Sequence, residues 1–410
     1  MRFFRRAWAE IDLDALAGNL ARIRQQVPGR KIMAVVKADA YGHGAPAAAA
    51  ALAEAGADWL SVSNLEEALQ IREQGVRLPM LILGYTPSVY AALLAEQALT
   101  QTLFCTEYAH ALSAAAEAAG VRVEVHIKMD TGMSRLGFDG QSKPRTQAVI
   151  AQLEAACRLP GLHVDGLYTH FAAADYDGDP DGSFTRQQAD LLLETAGLLE
   201  QRGISLAYKH CCNSAGIITQ PELGMDMVRP GLLLYGINPV PSTIVPIGNF
   251  PTGNLPGATA PLELVPAMQM KTVISMIKTV RAGDTLSYGR TFTADRDMRV
   301  ATLPIGYADG YARRLSGRAY MLVNGCKAPV VGRVCMDQLL LDVSEVPGAV
   351  AGGTVTVFGR DGDACLSVEE LAALSDTIPY ETLCLIGKRV PRIYYQEGKI
   401  VDQLNYLTKR

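Results

Sequence analysis

The 410-residue chain reads as an α/β protein, a (β/α)8 barrel followed by a mostly β C-terminal domain. Three observations predict it. Short β-branched or apolar runs alternate with alanine-, leucine- and glutamate-rich stretches from residue 31 to about 236; polar residues recur where those runs end; and beyond residue 261 the periodicity turns strand-like. The length exceeds one average domain, and 49% apolar content suffices to bury two cores.

In chain order the barrel strands are expected at Lys31 to Lys37, Trp59 to Ser63, Met80 to Gly84, Thr100 to Cys105, Arg122 to Lys128, Gly166 to His170, Ser205 to His210 and Met227 to Tyr235. Most are followed by a helical stretch, as a parallel barrel requires. An open doubly wound sheet is the alternative; the lack of a GxGxxG fingerprint weighs against it. Residues 237 to 261 carry six prolines and read as a linker or surface loop. Beyond them, strands are expected at Lys271 to Val280, Arg299 to Ile305, Tyr320 to Val323, Pro329 to Val334, Gln338 to Val343 and Thr354 to Phe358, with one helix at Val368 to Leu374. No internal repeat is visible.

A formal net charge of −4 argues against nucleic acid or an anionic membrane as a main partner, since both normally demand a net basic face, and points to a small metabolite. The basic N-terminus runs into Ala-Trp-Ala-Glu-Ile-Asp without the apolar core of a signal peptide. The alanine-rich stretch 45 to 57 is broken by Pro46 and Glu54, so no membrane span is expected. The eight cysteines form no CxxC and no zinc-spaced cluster with histidine, so no metal is expected. They read mainly as reduced, buried packing residues of a cytosolic protein, with adjacent Cys211 and Cys212 ill placed to bridge each other.

The functional signal lies at the strand ends. Lys37, Tyr41, Lys128, Arg135, His170, Asn213, Ser214 and Arg229 all fall at or just beyond them, the rim where barrel enzymes assemble their sites. A lysine ending a buried run is costly to leave charged and unpaired. Its amine is well used as a Schiff-base nucleophile toward an aldehyde such as pyridoxal phosphate, although a plain strand-capping lysine fits Lys37 as well from the local run alone.

Nine segments together decide between these. AVVKADAYGHG (34–44), KMDTGMSRLGF (128–138), YTHFA (168–172), HCCNSA (210–215), VRPGLLLYG (228–236), LSYGRTF (286–292), PIGYADGYARR (304–314), VGRVCMDQ (331–338) and PYETLC (379–384) closely resemble bacterial alanine racemases, in family order and across nearly the whole chain. The resemblance implies a pyridoxal-phosphate barrel over residues 13–240 and a β domain over 241–410. It also implies that the N-terminal strand within 1–12 packs with the β domain, and that a head-to-tail homodimer shares its sites between subunits.

By the same resemblance, Lys37 carries the cofactor, Tyr41, Ser214, Tyr380 and the backbone at Gly231 and Leu232 bind its phosphate, and Asn213 belongs to the cofactor site. Hydroxyls and amides can do so without adding charge that competes with the lysine. Arg229 would face the pyridine nitrogen, where a permanent cation cannot accept the ring proton, with His170 orienting it. Racemisation needs an acid/base group on each face of the α-carbon. Lys37 is one, and Tyr288 of the neighbouring subunit is implied as the other. Arg135 and the backbone at Met336 of the partner chain would hold the substrate carboxylate. Lys128, seven residues before Arg135, is implied as a carbamylation site whose anion orients the guanidinium. Asp175, Arg314, Ile378 and Tyr380 would line a narrow entrance. Ser134 departs from the family's usual glycine, and the proline-rich insert is longer than usual.

The expected activity is interconversion of L- and D-alanine in the cytoplasm, supplying D-alanine for peptidoglycan. Serine is the nearest competing substrate, and Tyr380 favours alanine. Basic amino-acid decarboxylation is disfavoured by Arg229. A barrel-only cofactor carrier would leave residues 262–410 without purpose.

Overall fold

The computed structural model describes residues 3–175, 178–179, 181–240 and 262–408, which divide into two compact units. One comprises 16–40 and 45–265; the other comprises 1–15, 41–44 and 266–410.

The first unit is a closed barrel of eight parallel strands: β1 (Lys31–Val35), β2 (Trp59–Val62), β3 (Met80–Ile82), β4 (Leu99–Leu103), β5 (Val123–Asp130), β6 (Leu162–Tyr168), β7 (Tyr208–His210) and β8 (Met227–Val228). Pairing of β4 with β5 and of β8 with both β1 and β7 closes the ring. β2, β3 and β4 are buried along their whole length, as strands covered on both faces must be. Helices follow the strands, as at Leu65–Glu73, whose N-cap Asn64 accepts from the Glu67 N–H. Buried Asn19, on the helix before β1, donates to the carbonyls of Leu234 and Val265 and accepts from the Val265 N–H, holding that helix against the chain that leaves β8.

The expected eighth strand stops early. β8 covers two residues, and Leu232–Tyr235 forms a 3-10 turn, because Pro230 has no N–H to continue the ladder and Gly231 turns the chain away (φ −112°, ψ −97°). The linker expected at 237–261 lies, from residue 241 onward, outside the described residues.

The second unit is built on one large sheet. In spatial order its strands are 276–280, 298–303, 339–342, 326–331, 320–323, 354–361, 268–273, 7–12, 392–396 and 399–404, with 364–366 paired to 354–361. The N-terminal strand lies antiparallel to 268–273 and parallel to 392–396. Three strands beyond residue 361 escaped the sequence reading, as did the helix Pro379–Cys384. The strand read at 271–280 is two strands, since the chain turns at Ile274 and Ser275. Fully buried Arg392 donates to the carbonyls of Gly42, Ile386, Gly387 and Val390, which pins the segment Tyr41–Gly44 within this unit. No helix among the described residues is long and apolar enough to cross a membrane. Only Cys211 and Cys212 of the eight cysteines are fully buried; Cys365 and Cys384 are exposed, correcting the expectation that most serve as core.

Candidate active site

Arg229 follows β8 directly, and its guanidinium is buried inside the barrel. One terminal nitrogen donates to His210 Nδ1 at 2.8 Å. The other donates to the Thr169 and Cys211 carbonyls at 2.8 and 3.0 Å and meets His170 Nδ1 at 3.3 Å. The Tyr168 ring lies 5.3 Å below it, and that ring stacks on His210 at 4.8 Å, nearly parallel. Burial, aided by the charge of Arg229, holds both His170 and His210 well below the ordinary histidine pKa, so both imidazoles are neutral and can accept. His210 is a partner the sequence reading missed, although it begins the HCCNSA segment.

Lys37, Lys128, Arg135 and Arg229 share one electrostatic neighbourhood. Burial first, then Arg135, Arg229 and Lys37, pushes the Lys128 amine down to about 8 against the opposing pull of Asp130. Asp130 is turned to structural work, accepting the Gly132 and Ser134 N–H groups at 3.0 and 2.9 Å. Ser134, at φ 53°, occupies the left-handed conformation for which glycine is best suited. Such a concentration of cations suits an anionic ligand.

Lys37 opens an unusual turn. Ala38, Asp39, Ala40 and Tyr41 have φ between 51° and 56°, four consecutive non-glycine residues in left-handed space. Each costs about 1–2 kcal/mol, so the turn needs outside support. Glu67 supplies it with one carboxylate oxygen, accepting the Ala38 N–H at 2.7 Å, while its other oxygen accepts the Ser63 N–H at 2.7 Å. Asp39 accepts the Ala45 N–H at 2.8 Å, and the Tyr235 hydroxyl donates to the Val35 carbonyl at 2.9 Å. Glu67, Asp39 and Tyr235 were not anticipated from the sequence.

Ser214 sits beside the turn after β8. Its hydroxyl accepts the Gly231 N–H at 2.7 Å, which leaves the hydroxyl proton for an acceptor such as phosphate. The Gly231 amide is therefore directed at Ser214, and Leu232 begins the following 3-10 turn. Asn213 caps the helix Ser214–Thr219 by accepting from the Gly216 N–H. Asp175 is half-buried.

In the second unit the expected residues fall into two groups. Tyr41 and Tyr380 face each other with ring centroids 5.8 Å apart, and Ile378 caps the helix that carries Tyr380. Arg314 pairs with Asp376 at 2.9 Å, a partner shared with Arg318. Tyr288 lies in a turn after Ser287, whose hydroxyl donates to the Arg333 carbonyl near Met336. Tyr288 is 72% exposed and Met336 52%.

Known proteins converge on this arrangement. The family described as alanine racemase, N-terminal domain, matches residues 11–239, and alanine racemase, C-terminal domain, matches 267–394. An alanine racemase of Desulfovibrio desulfuricans is 42% identical over 395 residues, covering 96% of this chain and 99% of its own; one of Desulforamulus reducens is 43% identical over 388 residues, covering 94% and 98%. The crystal structure of alanine racemase from Bacillus anthracis, determined with bound L-Ala-P, superposes with a TM-score of 0.87 at 36% identity, covering 99% of both chains. That from Clostridium difficile 630 has a TM-score of 0.87 at 34% identity, covering 99% of this chain and 100% of its own. The barrel with its buried arginine, the β domain after it and the match over both halves place this chain in the alanine racemase family.

Proposed function

We propose that the chain interconverts L- and D-alanine with pyridoxal phosphate, as a homodimer in the cytoplasm, and supplies D-alanine for peptidoglycan. The observation that carries the reading is Arg229, a donor-only cation held by two neutral imidazoles and two carbonyls. The surrounding donor set suits a phosphorylated, anionic cofactor: four cationic side chains and a serine hydroxyl with its own proton to give. When bound there, pyridoxal phosphate supplies an electron-withdrawing ring that acidifies the substrate's α-hydrogen.

The residues divide the remaining work. Lys37 holds the cofactor and moves a proton on one face of the α-carbon. Tyr288 of the partner subunit serves the opposite face; its exposure within a single chain fits a side chain that works on another copy. Arg229 presents only N–H groups to the ring nitrogen and so offers no acceptor for a proton there. This limits how strongly the ring withdraws electrons and favours return of the proton over side reactions. Ser214, Tyr41, Tyr380 and the Leu232 backbone hold the phosphate, and Asn213, capping the helix that Ser214 begins, positions that serine in the cofactor site. Arg135, with the Met336 backbone of the partner subunit, holds the substrate carboxylate. Asp175, Arg314 and Ile378 restrict the entrance.

Chiral chromatography tests the proposal. Purified protein loaded with pyridoxal phosphate and incubated with L-alanine is expected to give an equal mixture of enantiomers, with L-serine converted more slowly. Retention of the cofactor without change in either amino acid overturns it.

A further inference from the structure

Behind Arg229 a single file of polar side chains crosses the barrel interior. His210 accepts from Arg229 through Nδ1 at 2.8 Å, and its Nε2 lies 2.9 Å from His126 Nδ1. His126 Nε2 in turn lies 3.1 Å from Asp165 Oδ1. The direction of the protons is set from both ends of the file. A guanidinium can only donate, so His210 Nδ1 must be bare and a neutral His210 carries its proton on Nε2. That proton occupies His126 Nδ1 as acceptor, so the proton of His126 sits on Nε2, toward the carboxylate. The carboxylate at the far end, which only accepts, selects the same His126 tautomer; without it the buried Nε2–H has no acceptor and the Nδ1–H form becomes competitive.

The last link is close but off-axis. His126 Nε2 and Asp165 Oδ1 are both buried, and neither has an aligned hydrogen-bond partner among the described residues. They have each other. The backbone is adapted to bring them together: Val125 pairs with Val164 and His126 with Gly166, so Asp165 is the extra residue of a bulge in β6. Bulges re-aim side chains. The channel around the histidines is aromatic, with Trp59 5.3 Å and Tyr208 6.0 Å from the His126 ring.

Among the described residues buried Arg229 has no anionic partner of its own, since it is held by two neutral imidazoles and two carbonyls. Burying an unbalanced cation is costly, and polarised hydrogen-bond chains transmit charge in a low-dielectric interior. We propose that Asp165 is a remote positioning residue for Arg229, fixing the tautomers of His126 and His210 and providing the buried guanidinium with its counter-charge through them. The tautomer part stands by itself; the effect on turnover rests on the reading of Arg229 as partner of the cofactor's ring nitrogen.

The test uses full-length holoenzyme with 15N-histidine, comparing the native protein with Asp165→Asn, Asp165→Glu and Asp165→Leu. In the native protein, 15N spectra are expected to show both His126 and His210 as pure Nε2–H tautomers. Asp165→Leu should bring Nδ1–H character into the His126 signal, shift the absorption band of the bound cofactor and lower kcat several-fold with KM for alanine nearly unchanged. Asp165→Glu should restore the tautomers and part of kcat, and Asp165→Asn, which keeps the shape, should lie between. Unaltered tautomers and an unaltered cofactor band in folded Asp165→Leu and Asp165→Asn overturn the proposal. Should the tautomers respond as expected in a protein that does not racemise alanine, the relay stands and the proposed function falls.

Discussion

His126 lies directly over the α-carbon of Gly166, the residue opposite it in the β5–β6 ladder. A β-carbon at 166 would overlap the imidazole Cγ and Cδ2 and come within 2.6 Å of Cε1. Gly166 is thus a slot for a ring, not a turn, and its value can be measured. Gly166→Ala should destabilise the fold by about 1–3 kcal/mol in denaturant unfolding, the usual cost of overpacking a rigid core.

A second glycine should respond with the opposite sign. Gly197 lies inside the helix Ser183–Glu200, and a β-carbon there meets nothing within 4 Å. Gly197→Ala removes unfolded-state freedom without a clash and should stabilise by about 0.5–1 kcal/mol. Equal effects at 166 and 197 in matched unfolding curves would show that the ring-over-glycine contact carries no energy.

The difference between these glycines marks how much the sequence discloses. Alternation and strand-end polarity are local properties, so the eight barrel strands and the cluster of Lys37, Lys128 and Arg229 were legible at once. His126 was not, because inside a run such as Val-Glu-Val-His-Ile a histidine resembles any core residue until the fold sets it against His210. Asp165 was hidden for a sharper reason, since strict alternation assigns it the wrong face and only the bulge reverses that. Glu67 stands 30 positions from Lys37 in an ordinary amphipathic helix. Its link to the left-handed turn is a consequence of β1 and β2 being neighbours.

Glu67 yields the next prediction. Both of its oxygens are committed to backbone N–H groups, one of them in the turn that follows Lys37. Glu67→Ala should cost about 1–3 kcal/mol, the loss of charge-assisted hydrogen bonds plus an unsupported strained turn. It should also release pyridoxal phosphate faster on dialysis. Glu67→Gln keeps one acceptor oxygen and should fall between the two in both assays. Cofactor retention unchanged in Glu67→Ala would mean that the turn is held by Asp39 and its other contacts alone.

Tyr380 bears on substrate choice. Its ring packs 5.8 Å from that of Tyr41, filling space with an aromatic face. Discrimination between alanine and serine by size alone reaches only about a hundredfold, so a smaller, amide-bearing side chain should erode it. Tyr380→Asn is expected to raise the ratio of serine to alanine turnover in paired chiral assays. A ratio equal to that of the native enzyme would remove Tyr380 from selection.

Lys128 connects stability to pH. Burial and neighbouring cations lower its amine from the usual 10.5 to about 8 in the folded protein. Below pH 8 the folded and unfolded chains both hold the proton, and the folded state bears the full penalty of a buried charge. Between about 8 and 10.5 the folded state has shed it while the unfolded chain keeps it, so the unfolded state binds more protons and stability must rise with pH, by roughly 3 kcal/mol at most. The same lowered pKa makes the neutral amine available to carbon dioxide near neutral pH, and a carbamate would replace the penalty by an attraction to Arg135. Unfolding curves across this range in carbon-dioxide-free buffer should therefore show the rise. Bicarbonate should flatten it, with a mass increase of one carbon dioxide in native mass spectrometry, and Lys128→Met should abolish it in both buffers. A slope unaffected by bicarbonate, with no added mass, would leave Lys128 an unmodified amine whose charge the folded protein simply endures.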